Sequence, residues 1–331
     1  SSDATTVEVS TSGNATGLKA GSATITASAG GKMMSTTVAV DDDFSQIAVG
    51  SSHACGLIQG RAVCWGDAAN GRLGHAAGSA PTRVATTLTF QAIAAGGRHT
   101  CGIVETTAAV YCWGDDSQGQ LGNGNGSSAN VPVAIDLAAN SGFAEISLGA
   151  EHTCASKSGQ LYCWGNGADG RLGTGNTTTA QSPVVVGGFG NPAAGTSHTC
   201  AINASDVASC WGSNPDGRLG NNTFVSSSSP VVVLGGFEYA SLQAGTAHSC
   251  GVTTGNALTC WGSNDRNQVG DGSDTNRATP ILASATSALT RVSAGYEHTC
   301  GLSGAGELFC WGAFDRGALA QSATADVDAP T

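Results

Sequence analysis

Lysine is scarce in this chain of 331 residues, which has only Lys19, Lys32 and Lys157. Lysine and arginine together number 13 against 24 aspartate and glutamate residues, so the formal net charge is -11. A nonspecific nucleic-acid binder needs a basic surface that displaces counterions from phosphates. Membrane surfaces attract clusters of basic residues in the same way. The charge balance therefore excludes nucleic acid as a partner and disfavours a polybasic membrane contact.

Long apolar runs and catalytic motifs are also missing. No apolar run approaches the roughly 20 residues that a spanning helix requires, so we expect no membrane insertion. No signal peptide is visible, and we expect any export signal to have been removed or to lie outside this sequence. The segment 165–170 matches the dinucleotide fingerprint Gly-x-Gly-x-x-Gly, but no helix is predicted to follow it. We therefore predict that the protein is not an enzyme and uses no cofactor.

One motif occurs six times and accounts for most of the unusual residues. Each copy reads Gly-x-x-His-x-Cys, then 8 to 10 residues, then Cys-Trp-Gly, usually followed by x-x-x-x-Gly-x-Leu-Gly. Successive repeat histidines are 46 to 53 residues apart, a period typical of propeller blades. The repeat histidines are His53, His99, His152, His198, His248 and His298. The repeat tryptophans are Trp65, Trp113, Trp164, Trp211, Trp261 and Trp311.

Each copy predicts a blade of four short strands. In the third copy the pattern predicts strands over 143–148, 152–156, 160–164 and 182–186. The last strand starts with a proline, which suits an outer edge, and the same proline recurs in every copy up to Pro280 and Pro330. The predicted fold is an all-β propeller of six four-stranded blades. A seventh blade beyond Thr331 stays open as an alternative.

The repeat resembles that of the regulator-of-chromosome-condensation family of β-propellers. The matching motifs are His-Thr-Cys-Gly-Ile at 99–103, Tyr-Cys-Trp-Gly at 111–114 and Gly-Gln-Leu-Gly at 119–122. The resemblance implies a propeller over residues 42–331, with repeats at about 44–89, 90–142, 143–188, 189–236, 237–288 and 289–331. The plant ultraviolet-photoreceptor branch carries tryptophan in Gly-Trp-Arg-His-Thr, which here reads Gly-Gly-Arg-His at 96–99. A light sensor is therefore disfavoured. The acidic charge, together with the disulfides predicted below, also disfavours a nuclear exchange factor.

The twelve cysteines are locally paired within the repeats, which predicts one disulfide across the central hairpin of each blade. Such bridges indicate an oxidising compartment, so we expect a secreted or cell-surface protein. The rival interpretation is a zinc site of His-x-Cys plus a later Cys, which is disfavoured because structural zinc sites usually have four ligands. The predicted bridges are Cys55–Cys64, Cys101–Cys112, Cys154–Cys163, Cys200–Cys210, Cys250–Cys260 and Cys300–Cys310.

Three repeated residue types have predicted structural roles. The histidines are interpreted as hydrogen-bonding within each blade, with a pH-sensing ring around the central channel as the alternative. The tryptophans are predicted to fill space between blades. Arg72, Arg171 and Arg218 recur at one position of the glycine-rich loop. They anchor that loop in one interpretation, and form a polar binding face for protein or glycan in the other.

Residues 1–41 differ from the repeats, since they contain no Cys, Trp or His. They predict short strands over 6–10, 22–27 and 35–40. The segment 9–27, with its turn over 17–21 and a strand over 21–27, resembles the second half of a bacterial immunoglobulin-like domain. Half a sandwich has open edges, so three explanations stay open: an arbitrary cut, packing on the propeller, or completion by strands of a neighbouring molecule.

Three classes of function follow. The first is a bacterial extracellular structural or adhesive protein, a filament subunit that self-associates through the N-terminal strands. The second is a monomeric extracellular module that binds a protein or a glycan. The third, an enzyme, would need a unique polar cluster, whereas nearly every His, Cys and Trp is a repeat position. We favour the first class.

Overall fold

The computed structural model describes residues 43–76, 78–284, 288–313 and 326–330, together with the backbone of four strands nearer the N-terminus. The chain divides into two compact units, Ser1–Gln46 and Ile47–Thr331. Within the described residues no helix is long and apolar enough to cross a membrane. The helical elements described are two short 3₁₀ turns, Ala69–Gly71 and Ala168–Gly170.

The first unit contains two antiparallel hairpins. Its strands are β1 (Val7–Val9), β2 (Ala15–Gly17), β3 (Gly21–Ala29) and β4 (Lys32–Val40). Strand β1 pairs with β2, and β3 pairs with β4 in a register that runs from Gly21 opposite Val40 to Ala29 opposite Lys32. The three predicted segments are strands, and β2 is an additional one. The half immunoglobulin-like sandwich stays a prediction, because the side chains of residues 1–42 lie outside the described part of the chain.

The second unit is the predicted all-β propeller with six blades. Five blades contain four antiparallel strands in chain order. Blade one comprises β5 (Gln46–Val49), β6 (His53–Ile58), β7 (Arg61–Gly66) and β8 (Gly78–Arg83), and blade two comprises β9 (Phe90–Ala95), β10 (His99–Val104), β11 (Val110–Gly114) and β12 (Ala129–Ala134). Blade three comprises β13 (Phe143–Leu148), β14 (His152–Lys157), β15 (Gln160–Gly165) and β16 (Ala180–Gly187), and blade four comprises β17 (Phe189–Ala194), β18 (His198–Asn203), β19 (Ala208–Gly212) and β20 (Ser227–Val232). Blade five comprises β21 (Tyr239–Ala244), β22 (His248–Thr253), β23 (Leu258–Gly262) and β24 (Arg277–Leu282).

Blade six comprises β25 (Leu289–Ala294), β26 (His298–Ser303) and β27 (Leu308–Gly312), and its outer position begins with a bridge between Gly312 and Val327. In blade five the equivalent pair is Gly262 and Arg277, the first pair of β24. The bridge therefore places the start of a fourth strand at Val327, three residues before the predicted edge residue Pro330.

All six predicted disulfides are present. The bridged cysteines lie directly opposite each other on the second and third strands of a blade, as Cys154 and Cys163 do. Their Cα atoms are 4.0 to 4.1 Å apart. The bridges fix the register of each central hairpin, because slipping by one residue would turn the two sulfurs to opposite faces.

The hydrophobic core lies between neighbouring blades. Trp164 of blade three packs with Leu121 of blade two in one buried cluster, and Trp211 packs with Leu172 in the next. A buried tryptophan covers about 150–250 Å², worth roughly 4–6 kcal/mol at ~25 cal/mol per Å². The sequence leaves room for the indole rings, since a Cβ on Gly122 would lie 2.6 Å from Trp164 Nε1. Five of the six tryptophans thus fill space between blades, as predicted, whereas Trp65 of blade one is partly exposed.

The first and sixth blades differ from the others in what they bury. Ile47 and Val49 of β5 are 57% and 74% exposed, whereas Ile93, the counterpart of Ile47 in blade two, is fully buried. Leu308 of β27 is 64% exposed, although its counterparts Leu161 and Leu258 are buried. In these two blades, apolar strand positions that are buried elsewhere in the repeat are therefore exposed to solvent.

Candidate binding face at the channel mouth

A hydrogen-bonded node joins each blade to the next. His99 of blade two lies 2.8 Å from the Thr153 hydroxyl of blade three, and that hydroxyl donates to the Gln120 carbonyl oxygen at 2.9 Å. Trp164 Nε1 donates to the same carbonyl oxygen at 3.0 Å. Since the hydroxyl proton is used on the carbonyl, the hydroxyl accepts from His99 Nε2–H. We call this arrangement the interblade node.

The node corrects the expectation that the histidine bonds within its own blade. The same histidine-to-hydroxyl contact recurs at His53–Thr100, His152–Thr199, His198–Ser249 and His248–Thr299, always with the following blade. The histidine also abuts its own turn, because a Cβ on Gly149 would lie 2.2 Å from His152 Cε1. Glycine is required there because of this contact.

The node histidines are neutral at physiological pH. Burial lowers the pKa of His99, His152 and His248 to about 3, and that of His198 well below its ordinary value. Burial and the nearby Arg72 lower the pKa of His53 to about 4. In each of these five residues Nδ1 is buried and has no hydrogen-bond partner. These five side chains therefore do not form a pH-sensing ring that is open to the channel.

The three loop arginines are buried. Arg171 donates from Nε to the Ala168 carbonyl at 2.9 Å and from Nη1 to the Thr196 carbonyl at 3.2 Å. Arg72 donates from Nε to the Ala69 carbonyl and from Nη1 to Ser52 Oγ. Arg218 donates from Nη1 to Ser197 Oγ and the Thr246 carbonyl, while its buried Nε has no hydrogen-bond partner. Each of the two pairs with an aspartate of its own loop. These are the contacts of the loop-anchoring alternative. A ligand-binding role for the three guanidinium groups stays a prediction.

The turns that precede the repeat histidines surround the mouth of the channel. In blades two to six the first strands of neighbouring blades contact each other, so they are the innermost strands, and the turns after them lie beside the axis. Main-chain bonds link successive turns, such as Gly97 N to Gly149 O at 3.1 Å and Thr246 N to Gly295 O at 3.2 Å. Bonds of this kind join the turns of blades one and two, two and three, four and five, and five and six.

The two middle positions of each Gly-x-x-His turn differ from blade to blade. They define the channel-mouth face, whose members are Ser51, Ser52, Gly97, Arg98, Ala150, Glu151, Thr196, Ser197, Thr246, Ala247, Tyr296 and Glu297. Tyr296 is 68% exposed and the Arg98 side chain 59% exposed. The sequence analysis missed this face. The sequence signal for this face is a pair of positions that vary among the six copies while the glycine and histidine on either side do not.

A groove of about 610 Å³ opens on this face between blades one, two and three. It is lined by Ser51, Ser52, Asp67, Ala69, Asn70, Arg72, Gly97, Arg98, Ala150 and Glu151. The Ala69 amide is the main cause of a lowered Asp67 pKa, so that carboxylate is charged at neutral pH. The groove therefore offers an exposed cation, carboxylates and hydroxyls close together.

Acidic side chains in the neighbouring loop of blade two have a different environment. Burial raises the pKa of Asp116 to about 6, although the Leu121 amide and the Asn123 side chain act in the lowering direction. Among the residues that the structure describes, no group of three or more His, Cys, Asp or Glu side chains is placed to hold a metal ion.

Comparison with known proteins agrees with this architecture. The Ultraviolet-B receptor UVR8 of Arabidopsis thaliana is 29% identical over 170 residues, an alignment that covers 47% of this chain and 38% of that receptor. The chain thus spans about two fifths of that relative's length.

Two solved structures share the fold. Human WBSCR16 has a TM-score of 0.79 at 20% identity, over 90% of this chain and 83% of that chain. Prp20p of Saccharomyces cerevisiae has a TM-score of 0.76 at 19% identity, over 86% of this chain and 75% of that chain. The profile of the RCC1-like domain matches residues 8–331. The chain therefore belongs to the RCC1-like domain family.

Proposed function

We propose that the protein is a non-catalytic module of an oxidising, extracellular setting that binds a protein or a glycan through its channel-mouth face. The observation that carries this proposal is the contrast between invariant and varied repeat positions. The six disulfides and the node residues recur because they hold the blades together. The turn positions vary. Some of their side chains contact neighbouring loops, as Ser52 does with Arg72 and Glu297 with Arg266, and none belongs to an interblade node.

The chemistry of the face suits a polar partner. Arg98, Glu151 and Glu297 supply charge of both signs, and the exposed ring of Tyr296 supplies an apolar surface. Aromatic anchors surrounded by polar groups are typical of recognition surfaces for proteins. Prp20p of yeast has been characterised for binding to Gsp1p and histones, and we carry over only the class of partner, a protein.

The test compares two surface variants of the full chain. Wild type, the double variant Arg98→Glu/Tyr296→Ala and the rim control Val232→Ser would be screened against a glycan array and a panel of purified extracellular proteins. Any ligand of the face should lose at least about tenfold in affinity, or 1.4 kcal/mol, with the double variant and none with the control. Ligands that bind all three proteins equally would refute the channel-mouth proposal.

A second candidate is the self-associating structural or adhesive subunit. Within the described strands β3 and β4 pair only with each other, so this hairpin has two open edges. Open edges are templates for pairing with another chain. Light scattering over a concentration series should then show polymers that disappear when residues 1–40 are deleted. A monomer of 32.6 kDa at all concentrations would reject this candidate and leave the binding module.

A further inference from the structure

One position in the glycine-rich loop, three residues after the repeat tryptophan, anchors the loop in blades four and five. Asn214 Oδ1 accepts from the Leu219 amide at 2.9 Å, while its Nδ2 donates to the carbonyl oxygens of Thr223 and Val225 at 2.9 and 3.1 Å. Asn264 repeats these contacts in blade five with Val269, Ser273 and Thr275. The amide thus joins two arms of the loop through one acceptor and one donor.

Blade two carries Asp116 at this position, in the same backbone setting. Its Oδ1 accepts from the Leu121 amide at 2.9 Å, and its own amide donates to Ser128 Oγ at 3.1 Å, as the Asn214 amide does to Ser226 Oγ at 3.2 Å. Asp116 is 1% exposed, and its buried Oδ2 accepts no hydrogen bond within 3.5 Å. The Asn123 side chain is near enough to lower the Asp116 pKa, but its Nδ2 donates to the Ser127 carbonyl oxygen at 3.2 Å. An oxygen therefore occupies the place of the amide nitrogen, without a hydrogen to donate.

The surroundings of Asp116 Oδ2 are rich in oxygen. By the repeat equivalence, the carbonyl oxygens that an asparagine would serve are those of Asn125 and Ser127. The neighbouring Asp115 is also buried, and Ser128 Oγ lies 3.5 Å from its carboxylate. The cation beside them is Arg98, whose Nη1 is 4.0 Å from Asp115 and whose side chain is largely in solvent. Buried carboxylates are normally paired or coordinate a cation.

We propose that the loop of blade two, residues 115–128, binds a Ca²⁺ ion at the Asp116 carboxylate, with uncharged oxygens of the 123–127 arm as further ligands. Ca²⁺ accepts carboxylate, carbonyl and side-chain amide oxygens in flexible arrangements of six to eight ligands. Mg²⁺ demands near-ideal octahedral geometry and gives up its water reluctantly, so an irregular loop of carbonyls favours Ca²⁺. With few carboxylates, the site belongs to the weak extracellular class, with Kd of about 10⁻⁴–10⁻³ M.

The repeat itself supplies the matched variant. Asp116→Asn restores the residue that blades four and five use, so it removes the carboxylate ligand while adding the donor that the loop lacks. Asp274→Asn is the control, because Asp274 is an exposed acid in the equivalent loop of blade five, where Asn264 already fills the anchoring position. Near-ultraviolet circular dichroism would confirm that both variants are folded.

The experiment measures calcium binding to the metal-stripped full chain by calorimetry and the melting temperature with and without calcium. Wild type and Asp274→Asn should bind one Ca²⁺, and ten times Kd should raise their Tm by about 2–4 °C. Asp116→Asn should show no binding heat and no Tm shift.

Two results would overturn the proposal. One is a calcium response that persists in Asp116→Asn, which would place the ion elsewhere. The other is a wild type without any calcium response, in which case the buried carboxyl carries a proton that it donates to a loop carbonyl.

Discussion

A threonine follows the repeat histidine in four of the six blades, and its hydroxyl joins its blade to the previous one. Thr153 accepts from His99 of the previous blade and donates to the Gln120 carbonyl, and it is fully buried. Thr153→Val keeps the shape of the side chain but leaves the His99 Nε2–H without an acceptor. The free energy of unfolding should therefore fall by about 1–3 kcal/mol.

Urea unfolding followed by tryptophan fluorescence measures this loss. Thr177→Val changes an exposed threonine of the blade-three loop and should alter the unfolding free energy by less than about 0.5 kcal/mol. Equal losses in the two variants would show that the node contributes no more than an ordinary surface threonine.

The buried histidines predict sensitivity to acid. Their pKa is lowered in the folded state, to about 3 for His99 and about 4 for His53, from an ordinary value of 6.5. Between these values the unfolded chain binds more protons than the folded chain, so stability is complete above pH 6.5 and decreases as the pH falls. Each histidine contributes up to about 1.4 kcal/mol per pH unit in that window.

Melting curves at pH 7.5, 6, 5 and 4 test this prediction. Tm should fall steadily below pH 6.5, and His152→Gln, whose amide can still donate to Thr199, should flatten the slope by roughly a fifth. A Tm that is constant from pH 7.5 to 4 would contradict the prediction.

At the scale of the element, the six hairpin disulfides are not equally protected. Both sulfurs of Cys154–Cys163 belong to fully buried residues, whereas Cys300 of the blade-six bridge is partly exposed. A reductant reaches exposed bridges first, so limited reduction of the native protein should open Cys300–Cys310 before the other five. Alkylation and peptide mass spectrometry identify the opened bridge. In denaturant all six bridges are exposed, so the order of reduction should disappear. Reduction of the six bridges in random order in the native protein would contradict the prediction.

The sequence predicted the elements of a blade closely, because six copies report the same pattern. Strands expected over 143–148 and 160–164 are observed as Phe143–Leu148 and Gln160–Gly165. The disulfide pairs followed for the same reason, since each lies within one hairpin. The fourth strand of blade three is longer than expected, Ala180–Gly187, because pairing continues past two register shifts, to Ala180 opposite Gly165 and to Gly187 opposite Leu161.

The contacts between elements were less predictable. His99 bonds to Thr153, 54 residues later, across two sheets that share no strand pairing. A local pattern cannot show which blade supplies the hydroxyl. Asp116 differs from Asn214 in the sequence, but its buried oxygen becomes visible only when the surrounding main chain is known. The channel-mouth face likewise required the turns to be placed around one axis.

At the scale of the whole propeller, we expect the first and sixth blades to have lower local stability than blades two to five. Ala54 stands in blade one where the other blades have the node threonine or serine, so that position offers no hydroxyl. Ile47, Val49 and Leu308 are exposed in the same two blades. Stability in repeat architectures is roughly a sum of intrinsic and nearest-neighbour terms, so these blades should open first.

Amide hydrogen exchange measures this difference. The main chain of β5 and β27 should exchange at least about tenfold faster than that of β13 and β21, whose apolar residues Phe143, Leu148, Tyr239 and Leu242 are buried. Uniform exchange across all six blades would indicate a ring that opens only as a whole.

The disulfides also have a mechanical meaning for a protein held at a surface. A blade pulled apart lengthens by about 3.3–3.6 Å for every residue released. The stretch between two bridged cysteines, 9 to 11 positions apart in sequence, cannot be released. While its bridge is intact, the chain of each blade can therefore extend roughly 30–40 Å less than the same chain with the bridge reduced. The greatest extension of the propeller under tension is set by the redox state of its surroundings, even though its resting fold is the same.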